Sequence, residues 1–301
     1  MEEKRTGEMI SKEDAKRCRH RLEKRWYRRL VEINILLVVS VLVTVAWNVK
    51  EYPGWAGQAW EEFLEEPEET PEAVEDMPLE LELLGYGVIL LVVVYLALYY
   101  FYAQVRSMSI RITENNFPEI YEMIEGYALR LGMEQVPKAY VMQSNGVLNA
   151  FSSFIYKKQY IEINAEIFEV AYREHHDMKA LGFVIAHEMA HIYYGHATLH
   201  YNLPIWFSTH IPVMGAIASR TREYSADRLA QRIAETDGVE AMFMLAVDRH
   251  LYKMVDREDY LREAAEQKGF FVWLVNLMAD HPVLCKRVRA LDAWEGSGEL
   301  Y

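Results

Sequence analysis

Cysteine is nearly absent from this chain, whose 301 residues include only Cys18 and Cys285. Two cysteines cannot build the disulfide framework of a small secreted domain, and these two fall in segments assigned below to different structural units. The sequence therefore predicts a protein without structural disulfides, as is usual in a reducing compartment. With 51% apolar and 26% charged residues, the composition also excludes a mainly disordered chain.

Basic residues are missing from one acidic stretch. The chain carries 32 Lys and Arg against 45 Asp and Glu, a net charge of −13. Residues 51–82 contain 12 carboxylates and no Lys or Arg, so the remainder is close to neutral. A near-neutral remainder argues against a general nucleic-acid binder, and we expect no nucleic-acid partner.

Charge is absent altogether from two apolar runs, residues 33–49 and residues 83–103, which are 17 and 21 residues long. Soluble helices of this length normally keep a polar face, so both runs predict transmembrane helices. More than thirty residues, many of them charged, precede the first run, and no small-residue cleavage site follows it. We therefore do not expect a signal peptide.

The flanks of the two runs predict their orientation. Eight basic residues lie within residues 16–29, and the second run leads into Arg106 and Arg111. Because Lys and Arg are retained on the cytoplasmic side, residues 1–32 and 104–301 are expected in the cytoplasm of a multi-pass cell-membrane protein. The acidic loop between the runs, residues 50–82, is then extracytoplasmic.

The amino-terminal segment has Ser11 and Asp14 in capping-box-like spacing, which predicts a helix that continues toward the membrane. Its basic residues have one of two roles at the lipid bilayer, and the sequence does not decide between them. They either bind anionic lipid headgroups or only determine the topology.

Beyond residue 104 the pattern predicts a mainly α domain with a small β-sheet, of the α+β class. An apolar stripe follows Pro118 up to Gly132, as in an amphipathic helix. Residues 139–142 predict a strand, and residues 151–156 and 160–163 predict a hairpin. From Asp177 onward the pattern is helical almost to the end of the chain.

A metal-binding pattern lies within that helical region. His187, Glu188 and His191 form the sequence HEMAH, inside a predicted helix that Asp177 caps. Residues four apart share one face of a helix, so both imidazoles can bind one Zn²⁺ while Glu188 reaches a water molecule at the open position. This arrangement is typical of metal-assisted hydrolysis, although ten histidines make a coincidental pair conceivable.

A catalytic zinc ion needs a third protein ligand. The metzincin spacing fails here, because Tyr194 and Ala197 occupy its glycine and histidine positions. His196 lies nine residues after His187, about 180° around a helix, so we expect it to point away from the metal. Downstream, Glu223 and Asp227 are four residues apart in RTREYSADR. Glu223 can be the third zinc ligand, and Asp227, one turn on, can accept a hydrogen bond from the N–H of a ligand histidine that does not face the metal. The same pattern also fits an exposed charged helix.

Three motifs in one order, HEMAHIYYGH, EYSAD and DHPVLCKRVRAL, resemble those of the HtpX-like family of membrane zinc endopeptidases, which is related to the CAAX prenyl endoproteases. The resemblance spans residues 118–291. It implies a zincin-type domain that binds one Zn²⁺ per chain through His187, His191 and Glu223. It also implies that Glu188 is the general base. Asp227 would not bind the metal itself but would accept a hydrogen bond from a ligand histidine.

The same resemblance implies further site residues. Asn149, Ala150 and Phe151 match the turn and edge strand over which the substrate backbone of the family lies. His281 matches the histidine of a His-Pro motif near the cleft, where it either donates to the oxyanion or closes the resting zinc position as a latch. The polypeptide substrates implied are misfolded membrane or cytoplasmic proteins.

One departure from that family concerns residues 202–219. Members often have two further spans between HExxH and the third ligand, whereas these 18 uncharged residues could cross only once and contain Pro204, His210 and Pro212. One crossing would separate His187 from Glu223. We therefore expect an interfacial or cleft-lining element, with an ordinary buried helix hairpin as the alternative.

Other functions of a membrane protein with HExxH require different sequence features. A site-2-type protease needs an aspartate ligand within a span, and the two apolar runs contain no carboxylate. A CAAX-type chamber enzyme needs more spans. An active endopeptidase is therefore the favoured function, and a non-catalytic membrane adaptor or chaperone built on a peptidase fold is the alternative.

Overall fold

The computed structural model describes residues 8–51, 54, 79–143, 150–155 and 158–301. Most of the acidic loop and Asn149 lie outside the described residues. The fold is mainly helical with a small sheet, as the sequence predicts. The chain divides into two compact units, one of residues 1–31 with 102–301 and the other of residues 32–101.

The unit of residues 32–101 contains the first apolar run and nearly all of the second. They form most of helix α2, Glu23–Glu51, and of helix α3, Leu79–Met108. Both helices are long and apolar enough to cross a membrane. Only 11% and 12% of their most apolar windows are buried, whereas a helix in a soluble core would be mostly buried.

The amino-terminal segment starts as predicted, with helix α1, Lys12–Cys18, whose Ser11 hydroxyl accepts from the Asp14 N–H at 3.0 Å. The prediction of one helix up to the membrane is wrong, because the backbone is extended at Arg19 (φ −66°, ψ 137°) and helical structure resumes only at Glu23. This break lets the chain fold back onto the larger unit. Cys18 therefore shares one unit with Cys285, contrary to expectation, and both are buried free thiols.

A four-stranded sheet has the order β1-β2-β4-β3. The hairpin is formed by antiparallel β3, Ala150–Ile155, and β4, Lys158–Asn164, as predicted. Strand β2, Lys138–Met142, runs parallel to β4, and the two-residue β1, Ile110–Arg111, adds to β2. β3 therefore lies at one edge of the sheet, and the fully buried side chain of Ile161 in β4 belongs to the main core.

Helices account for most of the remaining larger unit. They are α4, Pro118–Arg130; α5, Ala165–Glu169; α6, Met178–Tyr194; α7, Leu199–Asn202; α8, Met214–Ala234; α9, Val239–Val247; α10, Arg257–Glu266; α11, Phe270–Met278; and α12, Leu284–Asp292. Helix α6, which carries HEMAH, packs against α8, α4, α9 and β3. Every residue from 181 to 190 is buried, so α6 forms the centre of the domain.

Asp177 starts α6, as the sequence predicts. One carboxylate oxygen accepts from the N–H groups of Lys179 and Ala180 at 3.1 and 2.9 Å. The other accepts from the Tyr252 hydroxyl at 2.9 Å and lies 2.7 Å from the Lys253 ammonium. Burial raises the pKa of Asp177, but the lysine and these hydrogen bonds outweigh it and lower the pKa to about 2.

The lowered pKa of Asp177 predicts acid sensitivity. A carboxylate with a pKa of about 2 in the folded state and about 3.9 unfolded stabilises the fold by roughly 2 kcal/mol above pH 5, and about half of this is lost by pH 3. We expect Asp177→Asn to lower the melting temperature at pH 7 and to flatten its decline between pH 5 and pH 3. Thermal unfolding of the detergent-purified protein measures both. Asp256→Asn, which removes the capping carboxylate of α10, is the matched control.

Residues 202–219 do not form a single apolar helix. After α7, two 3₁₀ turns, Leu203–Ile205 and Ser208–His210, lead into α8. Ile205 is buried with Leu30, from the start of α2, in one hydrophobic cluster. Phe207 remains 54% exposed, so the segment is not an ordinary buried helix hairpin. Its expected place at the membrane interface or the cleft stays a prediction.

Candidate metal centre

Helices α6 and α8 bring three potential metal ligands together. The Nε2 atoms of His187 and His191 lie 3.1 Å apart. The Glu223 carboxylate lies 3.5 Å from Nε2 of His187 and 3.4 Å from Nε2 of His191. The three ligand atoms fall within 4.8 Å of one another, and the side chains are almost fully buried.

These donors fit a zinc ion. Ligand atoms about 2.0–2.1 Å from a tetrahedral Zn²⁺ lie roughly 3.3 Å from each other. The two Nε2 atoms lie 3.1 Å apart, and each has a different oxygen of the Glu223 carboxylate at 3.4–3.5 Å, so the three side chains can close around one ion. Two imidazoles and one carboxylate are also a set that catalytic zinc sites use, and they leave a fourth position open.

A buried ion pair lies behind His187. Its Nδ1 atom is 2.9 Å from Asp227, and the Arg287 guanidinium donates two hydrogen bonds of 2.7 Å to the same carboxylate. Burial raises the pKa of Asp227, but Arg287 and His187 lower it to about 2. Burial lowers the pKa of His187, but the two carboxylates outweigh it and raise the pKa to about 10. The ionised Asp227 thus holds the ring with its Nδ1 proton inward and its Nε2 atom toward the other two ligands.

Sequence reasoning missed Arg287. It lies in α12, 60 residues from Asp227, and it also approaches Glu223 at 3.4 Å. The sequence did contain one indication, because Arg287 lies in DHPVLCKRVRAL, the third motif. Within that motif only His281 was assigned a functional role. No spacing rule connects an arginine there with a carboxylate in α8, because the contact depends on how the two helices pack.

His196 is placed differently from the prediction. Helix α6 ends at Tyr194, and Gly195 adopts a left-handed conformation (φ 76°). His196 is therefore not part of the helix, and the chain reversal brings its Nδ1 atom to 2.9 Å from Nδ1 of His191. The residue is 4% exposed, so His196 does not point away from the metal centre but lies buried directly behind a potential ligand.

The far side of the His196 ring contacts the amino-terminal segment. Its Nε2 atom lies 3.3 Å from the carboxylate of Glu23, the first residue of α2. Burial lowers the pKa of His196 to about 4, so this imidazole is neutral at physiological pH. Burial raises the pKa of Glu23, but contacts with His196 and Arg19 outweigh it, so the pKa is lowered and the side chain is ionised.

The comparison with protein families agrees with this geometry. Residues 114–212 and 198–295 match the model of peptidase family M48, which together is more than half of the chain. The chain belongs to peptidase family M48. M48 peptidases are zinc-dependent, so membership implies a metallopeptidase and a polypeptide substrate. Searches of the curated proteins and of the solved structures found no match.

Glu188 lies beside His187, on the same turn of α6. Its side chain is buried, with 8% of the residue exposed. Within the described part of the chain no side chain or backbone group is paired with its carboxylate.

His281 reaches the rim of the site. Its Nε2 atom lies 3.7 Å from Glu223, and its side chain is 67% exposed. The end of α11, just before His281, is held against α8. Buried Arg220 of α8 donates hydrogen bonds to the backbone oxygens of Leu277 and Ala279 at 3.0 and 2.5 Å. The helix that carries Glu223 therefore also positions His281.

The substrate residues implied by the HtpX-like resemblance are only partly within the described structure. Asn149 lies outside it. The backbone of Ala150 and Phe151 begins β3 and pairs with Ile163 and Glu162 of β4. Because β3 is an edge strand and packs against α6, its free side runs beside the helix that carries HEMAH.

Proposed function

We propose that this M48 chain is a membrane-anchored, zinc-dependent endopeptidase of the HtpX-like type that hydrolyses peptide bonds in misfolded membrane or cytoplasmic proteins. The observation that carries the proposal is the buried cluster of His187, His191 and Glu223. The buried Asp227 carboxylate behind the cluster adds support, because it orients one of the two imidazoles.

The proposed mechanism uses one zinc ion per chain, held by His187, His191 and Glu223. A bound zinc ion supplies Lewis acidity, which acidifies a water molecule and polarises the scissile carbonyl. Glu188 accepts the proton of that water and then transfers it to the leaving amine. Arg287 and Asp227 hold His187 in the required tautomer throughout.

We propose that substrate binds as an additional strand along β3, near Asn149, Ala150 and Phe151. The free edge of β3 offers backbone hydrogen-bonding groups to an extended peptide. Recognition through the main chain makes selection by side chain loose. Loose selection suits clearance of unfolded segments of many sequences.

His281 has two possible roles with opposite consequences. As an oxyanion donor it would stabilise the charge that develops on the scissile carbonyl, and His281→Ala should then lower kcat about 10²-fold with zinc retained. As a latch it would occupy the open metal position, and the same change should raise activity. We favour the donor role. Steady-state kinetics decide between them, and unchanged kinetics would refute both.

The proposed location is the cell membrane, with α2 and α3 as two spans. The support is that both helices are long, apolar and little buried. We propose that residues 1–32 and the peptidase domain, residues 104–301, are cytoplasmic and that the acidic loop, residues 50–82, is outside. The basic amino-terminal segment would face the anionic lipids of the inner surface.

Cysteine labelling tests this topology. In a background without Cys18 and Cys285, a cysteine at Thr70 should react with a membrane-impermeant reagent added to intact cells. A cysteine at Ser297 should react only after the cells are opened. The reverse pattern would overturn the cytoplasmic assignment.

Proteolysis of a flexible test protein by the detergent-purified chain tests the proposed activity. Cleavage should stop when a chelator is added and return when zinc is restored. The alternative function, a non-catalytic adaptor or chaperone, predicts binding of the test protein without cleavage under every condition.

A further inference from the structure

The amino-terminal segment contributes a carboxylate to the surroundings of the metal centre. Glu23 is 2% exposed and lies 173 residues from His196 in the sequence. Its carboxylate is held by the Ser225 hydroxyl and the Arg19 guanidinium, and the His20 N–H donates to Ser225 at 2.8 Å. Residues 19–23 are thus docked on α8, the helix that carries Glu223.

Glu23, His196 and His191 are linked in a row, and the directions of their hydrogen bonds are determined once His191 binds a metal through Nε2. Its Nδ1 atom must then carry the proton and donate to Nδ1 of His196, 2.9 Å away. A neutral His196 that accepts at Nδ1 carries its own proton on Nε2, which points to Glu23 at 3.3 Å. Carboxylate, imidazole and ligand imidazole therefore form one consistent relay.

The relay parallels the arrangement behind His187. There a carboxylate contacts the ligand imidazole directly, at 2.9 Å. Behind His191 the His196 ring lies between the ligand imidazole and the carboxylate of Glu23. Such hydrogen bonds orient ligand imidazoles and raise their basicity, and their loss typically weakens metal binding 10–100-fold.

We propose that Glu23 and His196 are positioning residues for the metal ligand His191. The amino-terminal segment, docked on α8, would then contribute to the affinity of the site for its metal. This inference rests on the proposed zinc site. It also connects the start of α2, the first proposed span, with the site, because a displacement of residues 19–23 removes the carboxylate from the relay and loosens the metal.

Zinc affinity of the full-length, detergent-purified chain tests the proposal, measured by competition with a chelator. Glu23→Gln and His196→Asn should each lower the affinity about tenfold. The double variant should lose little more than either single variant, because the two residues act in series. His196→Asn leaves the contacts of Glu23 with Ser225 and Arg19 in place, so it remains informative if Glu23→Gln folds poorly.

Glu13→Gln, in the exposed first turn of α1 in the same segment, is the matched control. It makes the same chemical substitution as Glu23→Gln but leaves Glu23, Ser225 and His196 in contact. The visible spectrum of the cobalt-substituted protein reports ligand geometry directly. It should change in Glu23→Gln and His196→Asn and stay as in the wild type in Glu13→Gln.

The outcomes separate this inference from the proposed function. A wild-type chain that binds no zinc would refute the zinc site and with it the relay. A wild type that binds zinc, with Glu23→Gln and His196→Asn unchanged in affinity and spectrum, would overturn the relay alone. An equal loss of affinity in Glu13→Gln would also overturn it, because the effect would then not depend on the carboxylate that contacts His196.

Discussion

Replacement of Glu188 by Gln should lower proteolysis about 10³-fold while zinc content and melting temperature stay as in the wild type. Gln keeps the size and the hydrogen-bonding capacity of the side chain but cannot accept a proton from water, and a positioned general base contributes about 10²–10⁴-fold. The side chain is not among the three clustered ligands, so the metal should be retained. Cleavage of a flexible protein, with metal analysis of the same sample, measures both quantities.

The control for this change is Glu119→Gln, on the exposed first turn of α4, which should cleave at the wild-type rate. It makes the same chemical substitution away from the site. If Glu188→Gln cleaved at a near wild-type rate, Glu188 would not be the base, and another group would have to take the proton from water.

Replacement of Glu223 by Ala should abolish stoichiometric zinc binding, and proteolysis should disappear with it. Two imidazoles alone lack the third donor of a catalytic zinc site, and the carboxylate lies 3.4–3.5 Å from both of them. Metal analysis after dialysis should give about one zinc ion per wild-type chain and none per variant chain.

Asp227→Asn provides a graded comparison for the ligand variant. Asn keeps an acceptor for the Nδ1 proton of His187 but loses the charge that pairs with Arg287, so zinc affinity should fall 10–100-fold without being abolished. Equal zinc content in Glu223→Ala and the wild type would remove Glu223 from the ligand set. In that case another residue would have to be the third ligand.

Local features of this protein were predictable because few neighbouring residues control them. Ser11 and Asp177 start helices as expected, since an N-cap depends on one side chain and the next turn. Alternation of apolar residues predicted the hairpin of β3 and β4. The i, i+4 spacing of His187 and His191 likewise placed both imidazoles on one face of α6, where their Nε2 atoms meet.

The amino-acid sequence by itself determined the mainly helical class, two apolar helices and the HEMAH face, because periodicity and caps are properties of short segments. Only the tertiary structure decided what lies behind the ligands. One glycine in a left-handed conformation turned His196 back onto His191, a break at residues 19–22 brought Glu23 to His196, and the packing of α12 brought Arg287 to Asp227. The last two contacts join residues 173 and 60 positions apart, where no local spacing rule applies, so their geometry follows from the packing of whole helices.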